Sequence, residues 1–574
     1  MPNKFNLKKA SLVVTLIFLF TLALPFNSLK VSAVTVDSDK KIQIVYINDF
    51  HGSVDASGKN PGMVKLAGRL KEVKASNTTN NTNTVFLAGG DLFQGSAASN
   101  LTYGAMVNDF LKEVGLTASA VGNHEFDWGI DKIANWASKG GYEFLASNIY
   151  SKTTGLPVSW AKPYKIVTVD GVKIGLIGLT TPETAFKTLP ENVKDIEFKD
   201  PNTCGKYWAN LLKSNGDADI VIAVTHLGAA QDAATKVITG EAADLANVED
   251  SGIDAILCAH THMAVCGTVN NIPVVQAYYN GRNIGKLNIT VKPDKTFTIT
   301  PDSEKLYDSN GYLKTLPDDS LTQNIYNKYM TDLSGTLNEV VGKTTAELSH
   351  DKSAGVSVLG EWTCQVMAKK AGTQIGITNG GGLRTSIKAG NITMGNLYEV
   401  MPFDNTLYKM DLKGSDLKRV IENGIMNTTV GWVQLYGVKV YYDADKAAGD
   451  RITAMYLLDG TKIDMNKYYS VVTNDFMFTG GDNYDFTGAK NAVNTNLPIR
   501  DAMVEALEST LTTPLNYKYQ ALLLDEPAPA AAAIASEEEL PKTGSPIDTT
   551  VMILIGIAAL TSGYFVIKKK KKIS

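Results

Sequence analysis

At roughly 150 residues per domain, a chain of 574 residues is too long for one core and calls for several domains. Its apolar content of 44% is ordinary for a globular protein, and a net charge of −4 excludes a global basic field for nucleic acid. Four Cys in this length exclude a disulfide scaffold.

The chain opens with an address. Lys4, Lys8 and Lys9 form a positive region, Leu12 to Leu24 a short apolar run, and Val31-Ser32-Ala33 a small-residue cleavage site. Residues 1–33 read as a secretory signal peptide, the apolar run being short for a spanning helix. From about 40 onward one theme repeats: a β-branched or apolar run ends abruptly in Gly, Asp, His or Asn. KIQIVYIND (41–49), TVFLAGGD (84–91), KIGLIGLT (173–180), DIVIAVTHLG (219–228) and DAILCAHTH (254–262) read as buried strands. MVKLAGRLKEVKAS (63–76) and MVNDFLKEVG (106–115) between them have helical patterning, so the class is α/β. In such folds chemistry collects beyond the carboxyl ends of the strands, where the polar residues here sit.

Residues 318–340 read as a helix joining the first domain, 40–317, to a second α/β region, 341–524, with Gly-rich patches at 376–384 and 480–482. Residues 525–539, DEPAPAAAAIASEEE, have no core-forming pattern and read as a spacer. The last segment, 540–574, runs LPKTG, then an apolar stretch of bilayer-spanning length from about Ile547 to Ile567, then Lys568 to Lys572. That order resembles the cell-wall sorting signal of Gram-positive surface proteins. The resemblance implies a transient membrane span, cleavage after Thr543 by a sortase, and linkage of Thr543 to peptidoglycan.

The chain has six His, and five of them, His51, His124, His226, His260 and His262, lie at predicted strand ends beside Asp, Asn, Gly or another His. With Asp49 and Asp91 they form a convergent ligand set. A carboxylate can bridge two cations, imidazoles complete their shells, and a neutral carboxamide leaves the site cationic, as a phosphate dianion requires. Nitrogen and oxygen donors without thiolate suit Zn, Mn or Fe.

Asp49-Phe50-His51, Gly90-Asp91, Gly122-Asn123-His124-Glu125, His226 and His260-Thr261-His262 resemble the ordered motifs of the metallophosphoesterase superfamily. More narrowly, they resemble the secreted 5′-nucleotidase/UDP-sugar hydrolase family. The resemblance implies an N-terminal four-layer αββα sandwich and a C-terminal α/β nucleotide-binding domain. It implies two divalent metal ions, one held by Asp49, His51 and His262, the other by Asn123, His226 and His260, with Asp91 bridging. A water acidified by the metals would attack phosphorus in line. His124 would stabilise the phosphoryl charge or protonate the leaving oxygen, oriented by Asp127. Glu125 reads as structural. Ala259 departs from the Gly that the family carries before His-x-His.

In the second domain, GITNGGGLRTSI (376–387) and TNDFMFTGGDNYDF (473–486) look like the family's nucleotide-binding segments. By resemblance, Asn379 and Arg384 would hold the nucleotide, Phe403 and Phe476 would sandwich its base, and Asp482 would accept from ribose hydroxyls. The Arg that the family carries near SHDKSAGVSVLGEW (349–362) is missing, with Lys352 as a point-charge substitute. Cys258 and Cys266 flank the His-x-His motif and are read either as a pair or as free thiols. The expected function is extracellular hydrolysis of nucleoside 5′-monophosphates, with domain closure across the substrate. The alternatives are a 2′,3′-cyclic nucleotide phosphodiesterase with 3′-nucleotidase activity, a UDP-sugar hydrolase, or a wall-anchored adhesin or ligand-binding protein on the same scaffold.

Overall fold

The computed structural model describes residues 38–527, so the signal-peptide, sorting-signal and Thr543 expectations fall outside the described residues. In the first domain, Lys40–Ile47 lies between Thr82–Ala88, in parallel, and Asn283–Val291, in antiparallel. Ala118–Ala120 and Glu143–Leu145 continue the parallel side, and Phe297–Lys305 closes the other edge of this six-stranded sheet. A second six-stranded sheet has Val172–Thr180, Ile220–His226, Ala255–Leu257 and Ile272–Ala277 running parallel, with antiparallel hairpin partners at both edges.

The near-continuous apolar strands have both faces covered. Ile42, Ile44 and Tyr46 point into a core shared with Ile174, Leu176, Ile222, Val224 and Leu257 of the second sheet. Their neighbours Val45 and Ile47 point the other way, under the helices Gly62–Thr79, Ala105–Val114 and Ile130–Gly140. Pro201–Ser214 and Glu241–Ala246 cover the outer face of the second sheet. This is the expected four-layer αββα sandwich, and the period of two along each strand assigns alternate residues to different cores. Each fully buried Ile or Leu contributes about 1.5–3 kcal/mol.

The helix Ser320–Leu337 starts at Asp319, whose side chain accepts from the backbone N–H of Thr322. It packs Ile325, Tyr326, Tyr329, Met330 and Leu333 against the same core as the first sheet's helices. It therefore completes the first domain's helical layer as well as leading into the second. There, a mixed five-stranded sheet (Val433–Tyr436, Ile375–Asn379, Tyr468–Asn474, Thr406–Lys413, Lys490–Pro498) has the helices Val358–Ala371 and Ile499–Glu508 on one face. The helix Gly414–Gly424 and a three-stranded sheet cover the other. All four Cys are free, so Cys258 and Cys266 are thiols in this structure.

One tie between the two sheets bears on the site. Tyr46 reaches across from the first sheet and donates to the Cys258 carbonyl of the second at 2.9 Å. Gly89 makes room for it: a Cβ there would sit 1.9 Å from the Tyr46 hydroxyl. Gly89→Ala is expected to displace Tyr46 and cost about 1–3 kcal/mol, the usual cost of overpacking, measured by urea denaturation.

Candidate metal centre and substrate pocket

The parallel strands of both sheets end on one side of the sandwich, and the loops leaving them carry the seven candidate ligands. Thr180 and His226 are register partners at the end of the second sheet. Asp49, His51, Asp91, His260 and His262 all have φ between 48° and 75°, the left-handed region that non-glycine residues rarely adopt. Such backbone persists where surrounding bonds over-determine it and is concentrated at functional sites. Here Asp49 N–H donates to the Gly90 carbonyl and His51 N–H to the Asp91 carbonyl, binding the two acidic loops together.

Asp49, His51 and His262 each offer one ligand atom, all within 4.8 Å of one another, and so do Asp91, His226 and His260. The His51 and His262 Nε2 atoms converge to 3.0 Å, and Asp49 Oδ1 lies 3.5 Å from His262 Nε2. Asp91 stands between the groups, its Oδ2 3.3 Å from His226 Nε2 and 3.8 Å from His51 Nε2. Asn123 Oδ1 is 3.2 Å from His226 Nε2, while its Nδ2 donates to the Lys187 carbonyl and so turns the oxygen inward.

The imidazoles are held for coordination. His51 Nδ1 donates to the Gln94 carbonyl at 3.0 Å and His226 Nδ1 to the Gly89 carbonyl at 2.7 Å. A carbonyl only accepts, so both Nδ1 atoms carry a proton and both rings turn Nε2 toward the cluster. His260 Nε2 lies 3.2 Å from Glu183 Oε2, which leaves Nδ1 as its inward donor.

The electrostatics also call for cations. Asp49 is 0% and Asp91 2% exposed, and a buried carboxylate needs a partner of opposite charge. Burial opposes ionisation of Asp91, but His226 and His124 outweigh it and hold the carboxyl well below its usual range. Burial opposes protonation of His226, but Asp91 lifts it to about 10. Burial and the neighbouring His262 push His51 down to about 3, so it is a neutral donor. The donor set fits two divalent ions, one of which would displace the proton on His226 Nε2.

His124 lies outside both triads. Its Nδ1 donates to Asp127 Oδ2 at 2.7 Å, and Asp127 Oδ1 accepts from Thr188 at 2.9 Å. Burial lowers His124, yet Asp127 and Asp91 more than offset this and raise it above the ordinary imidazole value. Glu125 is wholly buried and accepts from the backbone N–H groups of Asp91, Leu92 and Gly122 at 2.6–2.8 Å, tying two strand-end loops together. Gly122 allows this approach, since a Cβ there would lie 2.2 Å from Asp91 Oδ1.

A cavity of about 630 Å³ joins this centre to the second domain. Its walls include Asp91, Asn123, His124, His260 and His262 on one side and Asn379, Arg384, Phe403, Phe476 and Asp482 on the other. The Phe403 ring lies 5.9 Å from that of His124, nearly parallel, and the Arg384 guanidinium is 5.9 Å from the Phe403 centroid. Asn379 Nδ2 donates to Asp482 Oδ2 at 2.7 Å, and Asn474 holds Asn379 Oδ1 at 3.1 Å. All five pocket residues expected in the second domain thus line one wall. Lys352 lines it too, and burial, with Arg384 and Lys187 nearby, lowers its pKa.

Three wall residues escaped the sequence reading. Glu183 backs His260, Lys187 comes within 3.9 Å of Asp482 across the domain boundary, and Gln94 is buried with both amide atoms unpartnered. For Glu183 a signal existed: TPE (181–183) follows the KIGLIGLT strand, a strand end of the same kind as the others. His350, absent from the expected site, serves the second domain's core by donating to the Gly380 carbonyl at 3.0 Å.

Residues 42–264 match the calcineurin-like phosphoesterase family and residues 340–489 the 5′-nucleotidase C-terminal domain. The chain belongs to the 5′-nucleotidase family of metallophosphoesterases. Residues 535–574 match the LPXTG cell wall anchor motif, which makes this family member a cell-wall-anchored extracellular protein. The chain is 32% identical over 476 residues to the endonuclease YhcR of Bacillus subtilis, which covers 78% of this chain but only 37% of that much longer relative. It is 25% identical to the cell wall protein Lmo0130 of Listeria monocytogenes, covering 88% of this chain and 71% of that one. The crystal structure of a 5′-nucleotidase precursor from Thermus thermophilus has the same fold, with a TM-score of 0.69 at 24% identity, covering 85% of this chain and 100% of that one.

Glu183 gives this centre a direct test. Glu183→Ala frees His260 to rotate and is expected to weaken binding of one metal ion by about 10–100-fold, read by calorimetric titration with Mn²⁺.

Proposed function

We propose that this protein hydrolyses nucleoside 5′-monophosphates, AMP-like, to nucleoside and phosphate at the outer face of the cell wall. The observation that carries the reading is the single cavity with candidate metal ligands on one domain and an aromatic, carboxylate and guanidinium wall on the other. Its volume suits one nucleotide. The phosphate would lie at the Asp91–Asn123–His124 end. The base would lie between Phe403 and Phe476, with Asp482 and Asn379 toward the ribose.

Two divalent ions, one at Asp49, His51 and His262 and the other at Asn123, His226 and His260, with Asp91 between, would acidify a water and neutralise phosphoryl charge. The chain's own residues supply the rest. Asp127 keeps the His124 proton on Nδ1 or charges the ring, and His124 stabilises the phosphoryl oxygens or donates a proton to the leaving ribose oxygen. Arg384 and Lys352 add positive charge beside the phosphate end. Because both domains wall the cavity, their closure would exclude water and align the substrate. A sortase acting at Thr543 would then join the enzyme to peptidoglycan.

The test is phosphate release from AMP, 2′,3′-cyclic AMP and UDP-glucose, with single-stranded nucleic acid as a fourth substrate. We expect AMP to give the highest kcat/KM, chelation to abolish turnover, and Mn²⁺, Zn²⁺ or another divalent ion to restore it. A preference for the cyclic nucleotide, the sugar nucleotide or the polymer would overturn the substrate assignment, and full turnover after chelation the metal assignment.

Asp127→Asn is expected to lower kcat by about 10²–10⁴-fold, the usual weight of a general acid. His124 acts protonated and its pKa is raised in the folded protein, so activity fails as pH rises through that pKa. Removing the Asp127 charge lowers the pKa and should move the basic limb of the pH–rate profile to lower pH.

A further inference from the structure

Among the candidate imidazole ligands, His262 is held differently. His51, His226 and His260 each direct their second ring nitrogen to a carbonyl or carboxylate of the protein. His262 Nδ1 has no such partner among the described residues, and a third of the side chain is exposed, 32%. Its ring lies instead against Tyr279, with centroids 5.0 Å apart and planes 20° from parallel. On Tyr279 the guanidinium of Arg282 stands 4.0 Å from the ring centroid, and Asn60 fixes Arg282 through a 2.6 Å hydrogen bond to Nε. Tyr278 packs edge-on against Tyr279 at 4.6 Å.

The turn that presents Tyr279 is built against backbone preference. In AYYNGR (277–282), Tyr278 has φ 65° and Asn280 φ 53°. A bulky residue such as Tyr in the left-handed region costs about 1–3 kcal/mol and persists only when other bonds enforce it. Those bonds run to the metal loop. Asn280 N–H donates to the Asp49 carbonyl at 2.8 Å. Asn48 donates to the Tyr278 carbonyl at 2.7 Å and accepts from Ala277 N–H at 2.7 Å. The turn is thus clamped to the loop bearing Asp49 and His51, and the aromatic face it offers is the one against His262.

We propose that Tyr279, steadied by Arg282, is a positioning residue for His262 and sets the affinity of the ion held by Asp49, His51 and His262. The stack replaces the hydrogen bond that orients the other imidazoles. This rests on the two-metal reading of the site above. An imidazole bound to a cation becomes electron-poor, and the electron-rich Tyr279 face favours that state.

The experiment is calorimetric titration of the metal-stripped protein with Mn²⁺, comparing wild type with Tyr279→Phe, Tyr279→Leu and Tyr279→Ala, each checked for an unchanged circular dichroism spectrum. Wild type should bind two ions. Tyr279→Phe keeps the aromatic face and should bind both with wild-type affinity. Tyr279→Leu keeps apolar volume without the face and, like Tyr279→Ala, should lose about 10–100-fold at one ion and leave the other unchanged. His262→Ala should weaken the same ion. Wild-type affinity for both ions in Tyr279→Leu, or equal weakening of both, would overturn the proposal. If wild type bound fewer than two ions, the two-metal reading would fall first. If Tyr279→Ala does not fold, the contrast of Phe with Leu decides.

Discussion

Two carboxylates out of contact with water set the terms for this protein. Asp49 and Asp91 leave neighbouring parallel strands of one sheet and sit almost fully buried within reach of four imidazoles. Burying an unpaired carboxylate is far costlier than several Leu or Ile side chains can offset, so the cluster demands positive charge, which His226 and His124 supply beside Asp91 and which divalent ions at the candidate ligands would supply more fully. Much of the surrounding structure serves that need. Carbonyls fix the tautomers of His51 and His226, Glu125 gathers three backbone donors around the Asp91 loop, and five of the seven candidate ligands accept a left-handed backbone. The local strain is bearable because two cores on either side of the first sheet hold the strand ends in place.

The second consequence is directional. A cation-rich centre at one end of a cavity is useful only if the rest of the ligand is gripped elsewhere, and here the grip comes from another domain. His124 faces Phe403 across the boundary, Lys187 approaches Asp482, and Asn100 donates to the Pro402 carbonyl at 3.2 Å. The helix Ser320–Leu337 belongs by packing to the first domain, so the second is attached to a rigid layer rather than to a loose linker. The candidate metal ligands and the aromatic, amide and carboxylate wall thus come from different parts of the chain that face each other across the cavity.

Strand ends were legible because chemistry and patterning coincide there. Apolar runs broken by Asp, His, Asn or Gly marked both the sheets and the seven candidate ligands, and their order along the chain carried the resemblance. Gln94, Lys187 and Tyr279 were not legible, and Glu183 was marked only by its place just beyond a strand end. Glu183 sits on a short helical turn, Gln94 is an amide in an ordinary loop, and Tyr279 looks like any aromatic at the end of a strand. Their parts depend on what lies opposite them, and His260 is 77 residues from Glu183.

The α/β class, the strand ends that carry the candidate ligands and the C-terminal anchor motif could be read from the chain alone, because each is written in local periodicity or in a contiguous motif. The grouping of the candidate ligands was already implied by the resemblance, but which imidazole nitrogen faces the cluster emerged only from the packed molecule. So did the free thiols of Cys258 and Cys266 and the single cavity that the two domains enclose. Those outcomes depend on distances between residues far apart in the chain. Such distances are fixed by how two sheets and their helices pack, and no short stretch of sequence records them.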